Sequence, residues 1–456
     1  MPLHRKAKPP GAANPRTAIE SNADNENTAG IDPSQPSSFY YDARHGHYWT
    51  AGGQGEYICQ NLGDVKRRLR AAGVSSEKPV GMPSSPMDLW VIGIQNEWAV
   101  AYVGPLAGYR AGHHRILGSR ILVTKSPQII EPVRGDWPTL EKLFENLFAD
   151  DTVDQRPYVF GWIKVGYEAL RAGRLRPGQA LAICGPRDCG KSLVQNLFTK
   201  ILGGRSAKPY QFMSGQTPFN GDLLGAEHLM IEDDIGCHDI RARRNLGASI
   251  KAFTVNETQR CHAKGKDGVA LTPFHRVTIT INDEPENLLI LPPMDESMRD
   301  KITLLRAFKK PMPMPTGTLE ERAQFMGRIE SELPGFLHDL VNNFTIPADL
   351  RCERFGVTHF HHPDLLSELN ALAPEAELLG LVDEVVFGTG MESKWTGTAA
   401  ELERLLREKC PHESNRLLKF ANNCGTYLQR LESRGTRVTP RRTATRREWI
   451  ITRAIE

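Results

Sequence analysis

Between an apolar run, Ala180-Leu-Ala-Ile-Cys184, and an amphipathic stretch, Leu193-Val-Gln-Asn-Leu-Phe198, lies the octet Gly185-Pro-Arg-Asp-Cys-Gly-Lys-Ser192. The order reads strand, glycine loop, helix, with the G-x-x-x-x-G-K-[ST] spacing of a Walker A phosphate loop. Glycine at 185 and 190 lets the backbone wrap closely around an anion without steric strain. Loop N–H groups and the helix N-terminus then face the negative charge. The candidate nucleotide-binding set is therefore Gly185, Pro186, Arg187, Asp188, Cys189, Gly190, Lys191 and Ser192. Lys191 would neutralise the β- and γ-phosphates and the Ser192 hydroxyl would ligate Mg²⁺. The expected core is an α/β fold of the P-loop type, with ATP and Mg²⁺ as cofactors.

Two later strands fit this frame. His228-Leu-Met-Ile-Glu-Asp-Asp234 is a short apolar run that ends in carboxylates. Of these, Glu232 and Asp233 are expected to hold the Mg²⁺ shell and to polarise an attacking water. Val277-Thr-Ile-Thr-Ile-Asn282 is rich in β-branched residues and closes on an amide. Asn282 there can hydrogen-bond a γ-phosphate without adding negative charge. Between the two strands, Thr254–Thr272 reads as a hairpin with Lys264-Gly-Lys-Asp-Gly268 at its tip. His262, Lys264 and Lys266 could follow a phosphate backbone. Beyond, Met294-Asp-Glu-Ser-Met-Arg-Asp-Lys-Ile-Thr-Leu-Leu-Arg306 offers Arg299, Lys301 and Arg306 as cations for a neighbouring subunit's γ-phosphate.

With 456 residues, the chain has material for roughly two to four domains. Hydrophobic content of 40% and charged content of 24% are ordinary for a soluble protein, and no apolar run approaches a membrane span. The basic, proline-rich start has no apolar core segment, so no secretory signal is expected and the protein is placed in the cytoplasm. Cys59, Cys184, Cys189, Cys237, Cys261, Cys352, Cys410 and Cys424 form no C-x-x-C pair, which fits reduced thiols rather than a disulfide or zinc framework. Cys352 with His359, His361 and His362 matches no standard zinc spacing and reads as a surface histidine cluster.

Residues 1–37 are poor in large apolar side chains and are expected to be disordered. Residues 38–136 read as an α+β accessory domain. It starts with Phe39-Tyr-Tyr, a hairpin around Gly52-Gly53 and a basic helix bearing Leu62, Val65 and Leu69; Ile121-Leu-Val123 is a core strand. Asp88 and Asp136 are isolated, so no paired carboxylates of a two-metal polymerase site are present there. Residues 137–315 hold a helical lead-in and the nucleotide core, and 316–390 a helical connecting region.

Taken together, Gly185-Pro-Arg-Asp-Cys-Gly-Lys-Ser192, Ile231-Glu-Asp-Asp234, the Lys264-Gly-Lys266 hairpin, Thr278-Ile-Thr-Ile-Asn282 and Asp295-Glu-Ser-Met-Arg-Asp-Lys301 resemble the superfamily 3 helicases. That group is a branch of the AAA+ ATPases found in viruses, phages and mobile elements. The likeness is closer to the helicase part of phage and plasmid primase-helicases of the poxvirus type. It implies a hexameric ring on single-stranded or forked DNA, encoded by a phage or resident in a bacterial host, with Lys264 and Lys266 carried into the central channel. Where the family has paired arginines before the last core strand, this chain has Asp300-Lys301. A primase or replication initiator, if one acts with it, is expected on another chain.

The last stretch, 391–456, reads as a winged helix. Thr398 and Glu401 form a capping box before Leu402, Leu405 and Leu406. Helices around Leu417–Ala421 and Tyr427–Leu431 follow, and then β-prone pieces at Thr436–Val438 and Trp449–Ile451. Arg441, Arg442, Arg446 and Arg447 would contact phosphate from the wing. The function expected is an ATP-dependent DNA helicase or translocase of replication. Two rivals remain open: a DNA-binding AAA+ ATPase that assembles at an origin without unwinding, and a small-molecule phosphotransferase of the P-loop class.

Overall fold

The computed structural model describes residues 39–232, 240–263, 268–388, 393–442 and 446–454. The expectation for residues 1–37 and the candidates Asp233, Lys264 and Lys266 lie outside them. The described chain forms two compact units. One runs to Ile281 and resumes over Met294–Phe360; the other comprises Asn282–Pro293 and His361 onward.

The first unit starts with a four-stranded sheet in which Phe39–Asp42 pairs with His47–Ala51, that strand with Tyr57–Gln60, and Phe39–Asp42 in parallel with Ala99–Val100. Helices Leu62–Ala71 and Pro86–Glu97 cover it, burying Val65, Leu69, Met87, Val91 and Ile94 against Phe39 and Tyr48. Both helices start at capping boxes, Asn61 with Asp64 and Ser85 with Asp88, which satisfy first-turn N–H groups that would otherwise have no partner. Asp88 therefore has a structural task.

A second small sheet, Tyr102–Gly104, Gly112–Ile116 and Ser119–Val123, follows. Its core residues Leu106, Tyr109, Ile121 and Val123 pack on Leu224, Cys261, Val269 and Leu271 of the nucleotide core. The junction is bonded as well as packed. The Ala107 N–H donates to Leu224 O at 2.7 Å, and the Phe274 N–H donates to Ala107 O at 2.9 Å. Buried Glu227 accepts the Gly108 N–H at 2.8 Å and forms an ion pair with Arg205, which also donates to Lys125 O and Leu106 O.

The nucleotide core is a five-stranded sheet of β1 (Ala180–Gly185), β2 (Ser206–Ala207), β3 (His228–Ile231), β4 (Arg276–Asn282) and β5 (Ile302–Arg306), in the order β5-β1-β4-β3-β2. β5 pairs with β1, β4 with β3, and β3 with β2, each in parallel. Helix α1 (Lys191–Ile201) follows β1, and α2 (Ile240–Val255) precedes the hairpin Gln259–Cys261/Val269–Leu271. Every residue of β1 and β3 is buried, which is why β1 and, after His228, the rest of β3 read as apolar runs.

The lead-in helices Pro138–Phe148 and Arg156–Arg171 press Leu140, Phe144, Phe148, Trp162 and Tyr167 into one core with Leu197 and Phe198 of α1 and Phe325, Ile329 and Phe336 of the long helix Leu319–Asn342. Buried Glu332 accepts the Leu140 N–H at 2.9 Å and pairs with Arg328 at 2.7 Å.

The second unit has one apolar core running from Leu378 to Ile451. Helices Ala399–Lys409, Pro411–Leu417 and Asn423–Ser433 lie with an antiparallel sheet in which Val438–Arg442 and Lys394–Gly397 flank Arg447–Thr452. Helix Pro374–Val382 belongs to the same core and supplies carboxylates to it. Glu375 meets Arg434 at 2.7 Å and Arg430 at 3.6 Å, Glu377 pairs with Arg416, and Asp383 just beyond pairs with Arg437. Several arginines that make the tail look basic are thus spent internally. His362 is buried at the start of helix Pro363–Ala371, and His359 and His361 are half-buried. That corrects the expected surface histidine cluster, since none of the three rings is fully exposed. Among the described residues no helix is long and apolar enough to cross a membrane.

Candidate functional site

The site is built where β1 turns into α1. Gly185 ends the strand so close to β5 that a Cβ would lie 2.4 Å from Ala307 O. Asp188 at φ 60° and Gly190 at φ 107° are left-handed, a conformation that turns successive N–H groups inward. Lys191 opens the helix yet is only 7% exposed. Its Nζ donates to Gly185 O at 2.6 Å and Pro186 O at 2.8 Å, and lies 4.0 Å from Cys189 Sγ. The strand, loop and helix read from the sequence are therefore present, with the ammonium held inside the loop. Arg187, Asp188 and Ser192 are exposed, and Pro186 is half-buried. Met312, on the segment after β5, would touch a Cβ at Gly190 at 3.1 Å.

Glu232 follows β3 directly, and α1 shows which end of the sheet that is. Gln195, early in α1, reaches Ile231 O at the end of β3, whereas Thr199, one turn later, meets His228 at its start. Helix and strand are antiparallel, so Glu232 lies at the end of β3 nearest the first turn of α1. Its carboxylate forms an ion pair with Lys208 at 2.5 Å. Lys208 comes just after β2 and was missed from the sequence, where no motif marks it. The half-buried Asn282 closes β4.

The three cations after β4 separate into two positions. Arg306 ends β5 in register with Cys184, beside the glycine loop, and Gln155 brackets its backbone through both N–H and C=O. Lys301 and Arg299 precede β5, at the opposite end of a strand that spans about 13 Å at ~3.3 Å per residue. Lys301 pairs with Asp300 at 2.6 Å, and Arg299 is exposed on the turn Glu296–Arg299.

Among the nucleic-acid candidates, His262 is exposed beside the hairpin and rests on Phe219. Arg441 and Arg442 are exposed on their strand. Arg446 is engaged by Glu448 at 3.0 Å and Glu401 at 3.4 Å, and the Arg447 guanidinium lies 4.4 Å over the Trp449 ring.

A family model described as a family of unknown function, DUF5906, matches residues 183–299, from the end of β1 to the turn before β5. Over most of its length the chain is similar in fold to the C-terminal region of NrS-1. Its apo structure is 13% identical, covers 93% of this chain and 99% of its own, and superposes with a TM-score of 0.53. A second apo form is 13% identical, covers 91% and 96%, and gives 0.51. JCV helicase, 13% identical over 62% of this chain and 67% of its own, gives a TM-score of 0.24, too low to carry a structural argument. No curated protein matches the chain significantly.

Proposed function

We propose that the chain is an ATP-hydrolysing motor, a helicase or translocase that moves along DNA in the replication of a phage or other mobile element and works as a ring. The observation that carries this reading is Lys191 held within a glycine loop at the head of α1, with the Glu232 carboxylate at the same end of a β5-β1-β4-β3-β2 sheet. A left-handed backbone, an ammonium and an exposed serine at a helix start suit a phosphate chain with its divalent ion. In this reading the loop amides and Lys191 bind the phosphates, and Ser192, Glu232 and Asp233 hold Mg²⁺. MgATP supplies the phosphoanhydride bond and the charge these groups meet. Glu232 also orients the attacking water, and Asn282 hydrogen-bonds the γ-phosphate. Of the three cations offered for a neighbour's γ-phosphate, Arg306 at the loop end of β5 is also placed to serve its own subunit, whereas Arg299 and Lys301 at the other end are assigned to a neighbour.

His262, Lys264 and Lys266 form the moving contact with DNA. Helices Ala399–Lys409, Pro411–Leu417 and Asn423–Ser433 with the three-stranded sheet beside them act as a winged helix, with Arg441, Arg442, Arg446 and Arg447 directed to phosphate. The exposed Arg441 and Arg442 support that assignment more strongly than Arg446, which is already engaged by two glutamates.

Three measurements test the reading. ATP hydrolysis should rise with single-stranded DNA, fall to background in Lys191→Ala, and accompany strand displacement. Full hydrolysis by Lys191→Ala would remove the central assignment. Stimulation by DNA without strand displacement favours an origin-assembling regulator, and hydrolysis indifferent to DNA favours a small-molecule phosphotransferase.

A further inference from the structure

Between α1 and the sheet lies a set of polar side chains that the proposed chemistry does not use. Gln195, His228 and Thr278 are each fully buried. Gln195 Nε2 donates to Thr278 Oγ1 at 2.7 Å, Thr278 Oγ1 meets His228 Nε2 at 2.8 Å, and His228 Nδ1 meets Thr199 Oγ1 at 2.7 Å. Thr199 Oγ1 returns to the helix, donating to Gln195 O at 3.4 Å. One proton arrangement satisfies every link. Thr278 accepts from Gln195 and gives its own proton to Nε2; the neutral imidazole carries its proton on Nδ1 and gives it to Thr199; Thr199 donates onward. Burial pushes the His228 pKa down to about 3, so the neutral ring this chain requires persists near neutral pH.

Stability alone does not call for such a circuit. Apolar side chains of similar volume fill a core as well or better, and the Gln195 Oε1 is left buried without a partner, a cost that a leucine would avoid. What the circuit supplies is direction, because hydrogen bonds hold groups at fixed angles where apolar packing allows sliding. Its attachment points are the ones that matter to the site. Gln195 lies one turn below Lys191 on the same helix face. It also approaches Ile231 O, the peptide leading into Glu232, at 3.4 Å. Thr278 shares a strand face with Thr280 and Asn282, two pleats further on.

We infer that Gln195, Thr199, His228 and Thr278 are positioning residues that fix the first turn of α1 against the ends of β3 and β4, so that Lys191 and Glu232 meet the same nucleotide in register. The inference rests on the ATPase reading above. A small misplacement of reacting groups costs rate far more than it costs binding.

The test uses the full-length protein with Thr278→Val, which keeps the side-chain shape and removes the hub hydroxyl, and Thr278→Ser, which keeps the hydroxyl. Steady-state hydrolysis, affinity for a fluorescent ATP analogue and thermal unfolding are measured on each. Thr278→Val should lower kcat about tenfold or more with analogue affinity within about twofold of the unaltered protein, and Thr278→Ser should recover most of kcat. The inference is overturned if Thr278→Val turns over normally, if Thr278→Ser is as slow as Thr278→Val, or if kcat, affinity and melting temperature fall together. Absence of hydrolysis in the unaltered protein overturns the functional reading and this inference with it, whereas normal hydrolysis in both the unaltered protein and Thr278→Val overturns this inference alone.

Discussion

Lowering the pH from 7 to 5 should loosen the nucleotide core through its buried histidines. His228 and His275 are buried, with pKa values pushed down by burial to about 3 and about 4. In the unfolded chain both would titrate near 6.5. The folded state therefore refuses protons that the unfolded state accepts, and stability is lost as pH falls below about 6.5, down to the folded values. Above pH 7 neither state is protonated, and no penalty exists. Between pH 7 and 5 each histidine costs about 2 kcal/mol, so the pair removes about 4 kcal/mol. His113, His114 and His359, also lowered by burial, act in the same direction. Native-state hydrogen exchange on β3 and β4, corrected for intrinsic rates, reads the opening free energy of this region without interference from the rest of the chain. His228→Asn should lose about half of the pair's pH dependence. A drop below about 1 kcal/mol in the unaltered protein, or an unchanged drop in His228→Asn, would refute the reasoning.

Other substitutions probe other parts. Gly185→Ala drives a Cβ to 2.4 Å from Ala307 O; backbone cannot yield cheaply, so a loss of about 1–3 kcal/mol and weakened analogue binding are expected, read by thermal melts and fluorescence titration. Glu332→Ala leaves the Leu140 N–H without an acceptor and should cost about 1–3 kcal/mol in chemical denaturation; Glu332→Gln should recover part of it. Replacing Arg441 and Arg442 together by alanine should weaken DNA binding without changing its sequence preference. It should also reduce the slope of log K against log salt by about 2, measured by fluorescence anisotropy across a salt series.

Much of the core was legible because its signals are local. The octet at 185–192 and the apolar runs before Glu232 and Asn282 each carry their meaning within a few residues, and the structure has β1, β3 and β4 where those runs lie. The capping box at Thr398 and Glu401 likewise starts a helix. Helix Pro86–Glu97 gave no such signal, since Leu89 and Ile92 are exposed while Val91 and Ile94 are buried, which blurs any apolar stripe. The hairpin reading began too early at Thr254, because α2 continues through Val255 with only a weak polar-to-apolar division. Strand Lys394–Gly397 escaped notice with a single buried residue, Gly397. In the site itself, the missing information is long-range. Lys208 meets Glu232 across 24 residues and Gln195 meets Thr278 across 83, and nothing in either neighbourhood specifies the partner.

The backbone pairing of Ala107 with Leu224 and Phe274 bears on how the molecule can be divided. A fragment cut at 137, where the sequence suggests the nucleotide core begins, would expose the Phe274 N–H and the Leu224 carbonyl and deprive Glu227 of the Gly108 amide. Each such orphan costs about 1–3 kcal/mol if it stays buried, a large share of what any fragment can spare. A fragment that begins near residue 101 keeps all three partners and leaves behind the sheet and helices of residues 39–100, whose core is their own. The piece that will survive alone in a test tube is therefore longer at its front than the motifs require.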